Sequence, residues 1–224
     1  MPQLAICLDL QGKPAIVVGG GKVAARKCLA LLRSKADVTV VSPLLTASLQ
    51  RLTNNGLLKH LSRGYSYGDL KGFAIAFAAS DQHEINCQVA DEAWELRIPV
   101  NVADAPELSS FSSPAIVRRG DLSIAIATDG KAPALARRIR KQLAVTFGRE
   151  YYETVTLLGK VREKLLTQRN NRRYNKQILS VLANSQIPEL FRDGSLKEAD
   201  NLLLELCGPG FTLAELGMRK ETTS

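Results

Sequence analysis

Four apolar residues, Ala15-Ile-Val-Val18, run without a break into Gly19-x-Gly21-x-x-Ala24, and a helical apolar pattern starts at Lys22. This order leaves few folds open. A buried strand enters a turn too tight for side chains, and a helix leaves it with its first amides exposed. Such a unit receives a pyrophosphate: Gly19 makes the turn, Gly21 lets backbone approach phosphate, and Ala24 stands where helix meets sheet. The alternative is an ordinary strand–turn–helix.

The pattern around this unit is that of an α/β domain. Strand signals at Pro14–Val18, Val38–Val41, Leu57–Leu61, Phe73–Ala79 and Ile98–Val102 alternate with helical signals at Lys22–Ser34, Thr46–Leu52 and Gln82–Leu96. Ser80 or Asp81 is placed to cap the last of these helices. Alternation at this spacing predicts a Rossmann-like parallel sheet with both faces covered. After residue 113 the pattern changes. Ala115–Arg118 and Leu122–Ala127 read as a hairpin across Arg119-Gly120-Asp121, and Pro133 starts a helix reaching Phe147. From Glu150 the signals are helical, interrupted at Asn170-Asn171 and Pro188, and Gly208-Pro209-Gly210 precedes a last short helix. The expected domains are 1–113, 114–149 and 150–224: a parallel-sheet domain, a small hairpin/helix segment and a helical C-terminal domain.

Charge and cysteine usage narrow the function classes. The net charge is +8, and most of the excess lies after residue 113. That attracts polyanions: nucleic acid, an acidic surface, or a small molecule rich in carboxylates. Nucleic acid is disfavoured by an aromatic content of 5% and by the lack of a reader motif. Cys7, Cys28, Cys87 and Cys207 are scattered, and His60 and His83 are the only histidines. No metal-ligand spacing arises, and buried, reduced thiols are expected. The apolar runs are too short to cross a bilayer, and the N-terminal residues lack the pattern of a secretion signal, which points to the cytoplasm.

Two further constellations carry chemistry. Asn101-Val-Ala-Asp104-Ala-Pro106 ends a parallel strand, so Asp104 falls on the sheet edge that also bears the glycine turn. There it is either a base for a substrate proton or a cap for the turn before Pro106. Thr128-Asp-Gly-Lys131 leads into a helix bearing Arg137 and Arg138, a seat for carboxylates or a plain proline-started helix. One feature is missing. A ribose-binding carboxylate is expected about 20 residues past the glycines, and the strand ends there in Ser42-Pro43-Leu44 instead. NAD and NADP cannot be told apart from that position.

Together these residues resemble a known family. Val17-Val-Gly-Gly-Gly-Lys-Val-Ala-Ala-Arg-Lys27, Ala78-Ala-Ser-Asp81 with Asn86, Asn101–Pro106, Phe111-x-x-Pro114-Ala and Lys131-Ala-Pro-Ala-Leu-Ala-Arg137 occur in the order and separation of the precorrin-2 dehydrogenase / sirohydrochlorin ferrochelatase family, of the type found as the N-terminal region of siroheme synthases. The resemblance spans about residues 4–147. It implies NAD-dependent oxidation of precorrin-2 to sirohydrochlorin in siroheme biosynthesis, with insertion of ferrous or cobaltous ion as a further activity of some members. It also implies a homodimer joined through the segment after residue 113, with no resident metal. Gly19, Gly21, Lys22, Val23, Pro43, Leu44, Ser80, Asp81 and Asn101 are then the cofactor residues, and Asp104 the catalytic carboxylate. Arg118, Arg119, Thr128, Lys131, Arg137 and Arg138 would meet the eight substrate carboxylates. Thr128 stands where a bifunctional relative has serine, and Ala127 replaces a second serine, which puts regulation by serine phosphorylation in doubt. A non-enzymatic NAD-sensing module is the alternative, though it gives no reason for Asn101–Pro106 or Lys131–Arg137.

Overall fold

Alternate residues along the first strand go to different sides, and this organises the first half of the chain. The computed structural model describes residues 3–168 and 172–218, and its contacts divide the chain into two units. The first runs to Ser113 and includes Asp129–Lys131; the second holds Pro114–Thr128 and the chain from Ala132 onward.

In the first unit β1 (Pro14–Val18), β2 (Asp37–Val41), β3 (Lys59–Leu61), β4 (Ile75–Ala78) and β5 (Val100–Val102) form one sheet, ordered β3-β2-β1-β4-β5. Every pairing is parallel. Side chains of a strand point alternately to the two faces. Ala15 and Val17 of β1 and Ile75 and Phe77 of β4 therefore join one core, with Ala24, Cys28 and Leu31 of α1 (Lys22–Arg33) and Leu49 of α2 (Ala47–Asn54). Ile16, Val18, Ala76 and Ala78 join the other, with Val89, Ala90 and Ala93 of α3 (His83–Glu95). Burial on both faces is why these strands read as unbroken apolar runs. The chain crosses from the β3 edge to β4 on the far side of β1, so loops diverge at the carboxyl ends of β1 and β4. In open α/β sheets that divergence opens a ligand crevice.

The second unit begins with an antiparallel hairpin, β6 (Ala115–Arg119) and β7 (Leu122–Ile126), followed by α4 (Pro133–Thr146). Helices α5 (Glu150–Gln168), α6 (Arg172–Ala183), α7 (Ile187–Asp193) and α8 (Leu196–Cys207) follow. Leu157, Val161 and Leu165 recur every fourth residue along α5 and pack with Leu182, Ile187, Leu203 and Phe211. No described helix is long and apolar enough to cross a membrane.

Several expectations are corrected. The strand expected over Leu57–Leu61 is only Lys59–Leu61, because the turn at Gly56 (φ 68°) leaves Leu57 exposed. The run Phe73–Ala79 contributes Ile75–Ala78 to the sheet. Neither Ser80 nor Asp81 caps α3; Gln82 holds that position with no side-chain cap, and Ser80 Oγ accepts the Gln82 amide instead (3.2 Å). The interruption expected at Pro188 falls just before it: α6 ends at Ala183, and Pro188 sits in the first turn of α7, where its missing N–H does no harm. The Asn170-Asn171 break lies outside the described residues. No helix follows Gly210 among the described residues. Thr212 and Glu215 form a reciprocal cap, Leu216 N donates to Thr212 O, and Gly217 at φ 63° ends the turn.

The thiols also differ from expectation. Cys28 and Cys207 are buried and Cys87 is half-buried, but Cys7 is exposed. Burial pushes the Cys28 thiol up to about 12, out of the nucleophilic range. A thiol reagent should therefore modify Cys7 at once in the native protein and reach Cys28 and Cys207 only on unfolding. Mass spectrometry of a labelling time course checks this, and prompt native labelling of Cys28 would contradict the packing of α1.

Candidate functional site

Three consecutive glycines make the crevice, each for a different reason. Gly19 has φ 121°, and a Cβ there would lie 2.2 Å from the Ala79 carbonyl oxygen, because Ala79 N donates to Val18 O across the diverging strands. Gly20 carries the β2–α2 loop: a Cβ would fall 1.8 Å from Leu44 O and 2.6 Å from Ser42 Oγ, and its own carbonyl accepts Thr46 N. Gly21 has open space around its Cβ position. It is the N-cap of α1, and no side chain caps that helix. The helix therefore presents its first amides and the positive end of its dipole to whatever fills the crevice.

The crevice has a volume of about 780 Å³, within the usual range for small-molecule sites. Gly19, Gly21, Lys22, Val23, Pro43, Leu44, Ser80 and Asp81 line it, each expected from the sequence. Gly20, Thr46, Tyr65 and Ile85 also line it and were not expected. The glycine run itself was the available signal for Gly20. Tyr65 comes from the loop after β3; its hydroxyl donates to Glu92, a buried carboxylate that also accepts Leu70 N at 3.0 Å. Burial and then this carboxylate push the phenol up, so the ring stands fixed and neutral in the wall. Ser42 Oγ donates to Leu44 O (2.7 Å), which shapes the loop where a ribose carboxylate was sought. Uncapped amides, glycines with no room for a side chain and a largely apolar wall together fit a dinucleotide.

Asn101 is not in that wall. Its Oδ1 accepts Lys27 Nζ (2.7 Å) and its Nδ2 donates to Phe111 O (3.0 Å). Lying mid-strand, it faces the α1 side of the sheet. Lys27 also donates to Ser113 Oγ (2.9 Å) and sits over the Phe77 ring; burial, with the Arg26 charge, lowers its pKa to about 8. Asn101 thus anchors the end of the domain.

Asp104 lies just beyond β5, on the glycine edge of the sheet, and stays largely exposed. Two side chains of α3 hold it. Asn86 Nδ2 donates to Asp104 Oδ1 (2.8 Å), and His83 Nδ1 lies 2.8 Å from Asp104 Oδ2. Buried Asn86 also pairs with Ser80, donating to its carbonyl and accepting its amide at 3.0 Å each. One amide therefore ties Asp104 to a residue of the crevice wall. The His83 hydrogen bond, followed by weaker contributions including the Asn86 hydrogen bond, holds the Asp104 carboxyl below the usual carboxylate range. It is a carboxylate at neutral pH, the state a base needs.

Arg118, Arg119, Lys131, Arg137 and Arg138 are not among the residues that line the crevice. Within the second unit Arg118 and Arg119 border a cleft of about 620 Å³ with Arg149, Glu150, Glu153 and Arg192. Arg119 donates to Ala144 O, Gly148 O and Arg118 O, so its guanidinium closes the end of α4. Thr128 Oγ1 accepts the Ala132 amide (3.2 Å) ahead of α4. Lys131, Arg137 and Arg138 are exposed.

Comparison with known proteins adds to this geometry. Residues 6–115 match a family described as "Putative NAD(P)-binding", and residues 119–145 one described as "Sirohaem biosynthesis protein central". A siroheme synthase of Methylobacillus flagellatus is 35% identical over 191 residues, covering 84% of this chain and 41% of that protein. One of Pseudomonas paraeruginosa is 36% identical over 210 residues, covering 94% of this chain and 45% of that protein. The chain thus spans less than half the length of these relatives. A solved structure described as SirC, precorrin-2 dehydrogenase, superposes with a TM-score of 0.76 at 25% identity, covering 91% of this chain and 98% of that one.

Proposed function

We propose, from the premise that this chain belongs to the precorrin-2 dehydrogenase / sirohydrochlorin ferrochelatase family, that it oxidises precorrin-2 to sirohydrochlorin with NAD in siroheme biosynthesis. The observation that carries the reading is a dinucleotide crevice whose wall is joined by one buried amide to a carboxylate at the neighbouring strand end. NAD supplies the hydride acceptor when bound. The amides that open α1 at Lys22 and Val23 would hold its pyrophosphate, and Pro43, Leu44 and Tyr65 would flank its adenosine half. Asp104 takes the proton that leaves the macrocycle, while Asn86 keeps one carboxylate oxygen in place. Binding energy from the substrate's remote carboxylates serves to position the ring.

Those carboxylates call for cations. Arg118, Lys131, Arg137 and Arg138 are the candidates; Thr128 offers a hydroxyl, and Arg119 serves first to close α4. A charge-assisted hydrogen bond contributes about 1.5–3 kcal/mol. Arg137→Glu should therefore weaken precorrin-2 binding about tenfold or more and leave NAD binding as it was. Titration of both ligands checks this; equal losses would make Arg137 a structural residue instead.

A homodimer belongs to the same reading. A two-stranded hairpin alone is marginal in water, and in the second unit Ile116, Leu135 and Val145 are exposed. Sedimentation at micromolar concentration tests it. The activity is tested by mixing the protein anaerobically with precorrin-2 and NAD. Sirohydrochlorin and NADH appearing in equal amounts support the reading; an unchanged spectrum refutes it. Ferrous or cobaltous ion, added as substrate to the product, then reads the chelatase step, in which Asp104 would strip the pyrrole protons.

A further inference from the structure

Asp104 has a partner whose charge changes near neutral pH. His83 opens α3, its side chain is 60% exposed, and it packs into neither core of the first unit. Its role in the fold is small, since Asn86 already ties the Asp104 loop to α3 and to Ser80. Yet both ring nitrogens are engaged: Nδ1 lies 2.8 Å from Asp104 Oδ2, and Nε2 lies 3.5 Å from Cys87 Sγ, one helical turn further along α3. The imidazole is thus aimed at the carboxylate oxygen that Asn86 leaves open.

We propose that His83 is a positioning residue for Asp104, and that the charge of its imidazole sets how strongly that carboxylate pulls a proton from the substrate. The inference rests on the reading of Asp104 as the base. The groups that face His83 are Asp104 and Glu107 from the chain after β5, and Glu84 and Cys87 from its own helix. The Asp104 hydrogen bond first, then the Asp104, Glu84 and Glu107 charges, raise its ionisation above the ordinary 6.5. Below that ionisation the imidazolium donates to Asp104 and compensates its charge, so the carboxylate is the weaker base. Above it the imidazole is neutral and the carboxylate is released to act. Turnover should therefore rise with pH through the His83 ionisation. An opposite charge beside a carboxylate changes its basicity by about one to three pKa units. With partial proton transfer in the transition state the rise is about three- to thirtyfold.

Two measurements test this. The first is the pH profile of anaerobic single turnover at saturating NAD, for wild type and His83→Gln, whose amide N–H can still reach Asp104. Wild type should show the rise and H83Q should lose it; the same rise in both proteins overturns the proposal. The second is an NMR titration of the imidazole, needing no substrate or cofactor, with the His83 resonance assigned by its loss in H83Q. His83 should titrate above 6.5 in wild type and fall toward 6.5 in Asp104→Asn. Identical titrations would mean that the pair does not form, which also overturns it. Full turnover in D104N would overturn the base assignment beneath, a failure separable from the other two because the titration reports the pair whatever the turnover.

Discussion

Gly21→Asp should fold at least as well as the wild-type chain and lose NAD. Of the three glycines, only Gly21 has open space where a Cβ would stand, and it holds an ordinary extended conformation (φ −81°, ψ −171°). It is also the N-cap of a helix that no side chain caps. Aspartate is among the best residues for such a position, because its carboxylate accepts the amides of the first turn. Those are the amides a pyrophosphate needs. The substitution would fill the phosphate seat with a resident anion and repel the incoming one. Loss of two charge-assisted hydrogen bonds, at about 1.5–3 kcal/mol each, predicts affinity lower by about a hundredfold or more. Calorimetric titration with NAD, beside a thermal melt of the ligand-free protein, gives both halves of the result. Unchanged NAD affinity in a well-folded G21D would displace the pyrophosphate from this turn. At Gly20 the outcome should reverse. Even alanine would drive a Cβ into the Leu44 carbonyl, so the fold should suffer before binding does.

Removing the Asp104 carboxylate should have a comparable effect on the chemistry and little on the cofactor. Asp104 is absent from the crevice wall, and its hydrogen bonds run to His83 and Asn86. Asp104→Ala should leave NAD affinity near normal and cut turnover by about 10²–10⁴-fold, the usual contribution of a positioned general base. Because Asn86 stays paired with Ser80, the crevice keeps its shape in that variant. The split between binding and turnover is the informative outcome. Normal turnover would remove Asp104 from the mechanism and leave positioning of the ring against the cofactor as the main source of rate.

How far these features were legible depended on how local they were. The β1–turn–α1 unit could be read because its strand, glycines and helix are contiguous, and Gly19 and Gly21 of its turn line the cavity. Lys22, Val23, Pro43, Leu44, Ser80 and Asp81 came from resemblance, and the parallel pairing of β1 with β2 and β4 brings them to the same edge. Gly20 was passed over because a turn motif treats its position as free. The clash with Leu44 arises only once the β2–α2 loop folds back. His83 is 21 residues from Asp104, and no periodicity links the start of a helix to the loop after the next strand. Asn101 was misplaced for a related reason. Resemblance suggested the crevice, but strand alternation turns its side chain to the face where Lys27 waits. Cys7 was expected to be buried like the other cysteines, yet its segment joins no sheet or helix.

The most direct measurement is a crystal structure of the protein soaked with NAD. The account predicts density for the pyrophosphate against the Lys22 and Val23 amides, with adenine toward Pro43 and Leu44 and the nicotinamide on the Ser80 side, facing Asp104. A dinucleotide bound elsewhere, or one whose nicotinamide points away from Asp104, would contradict it.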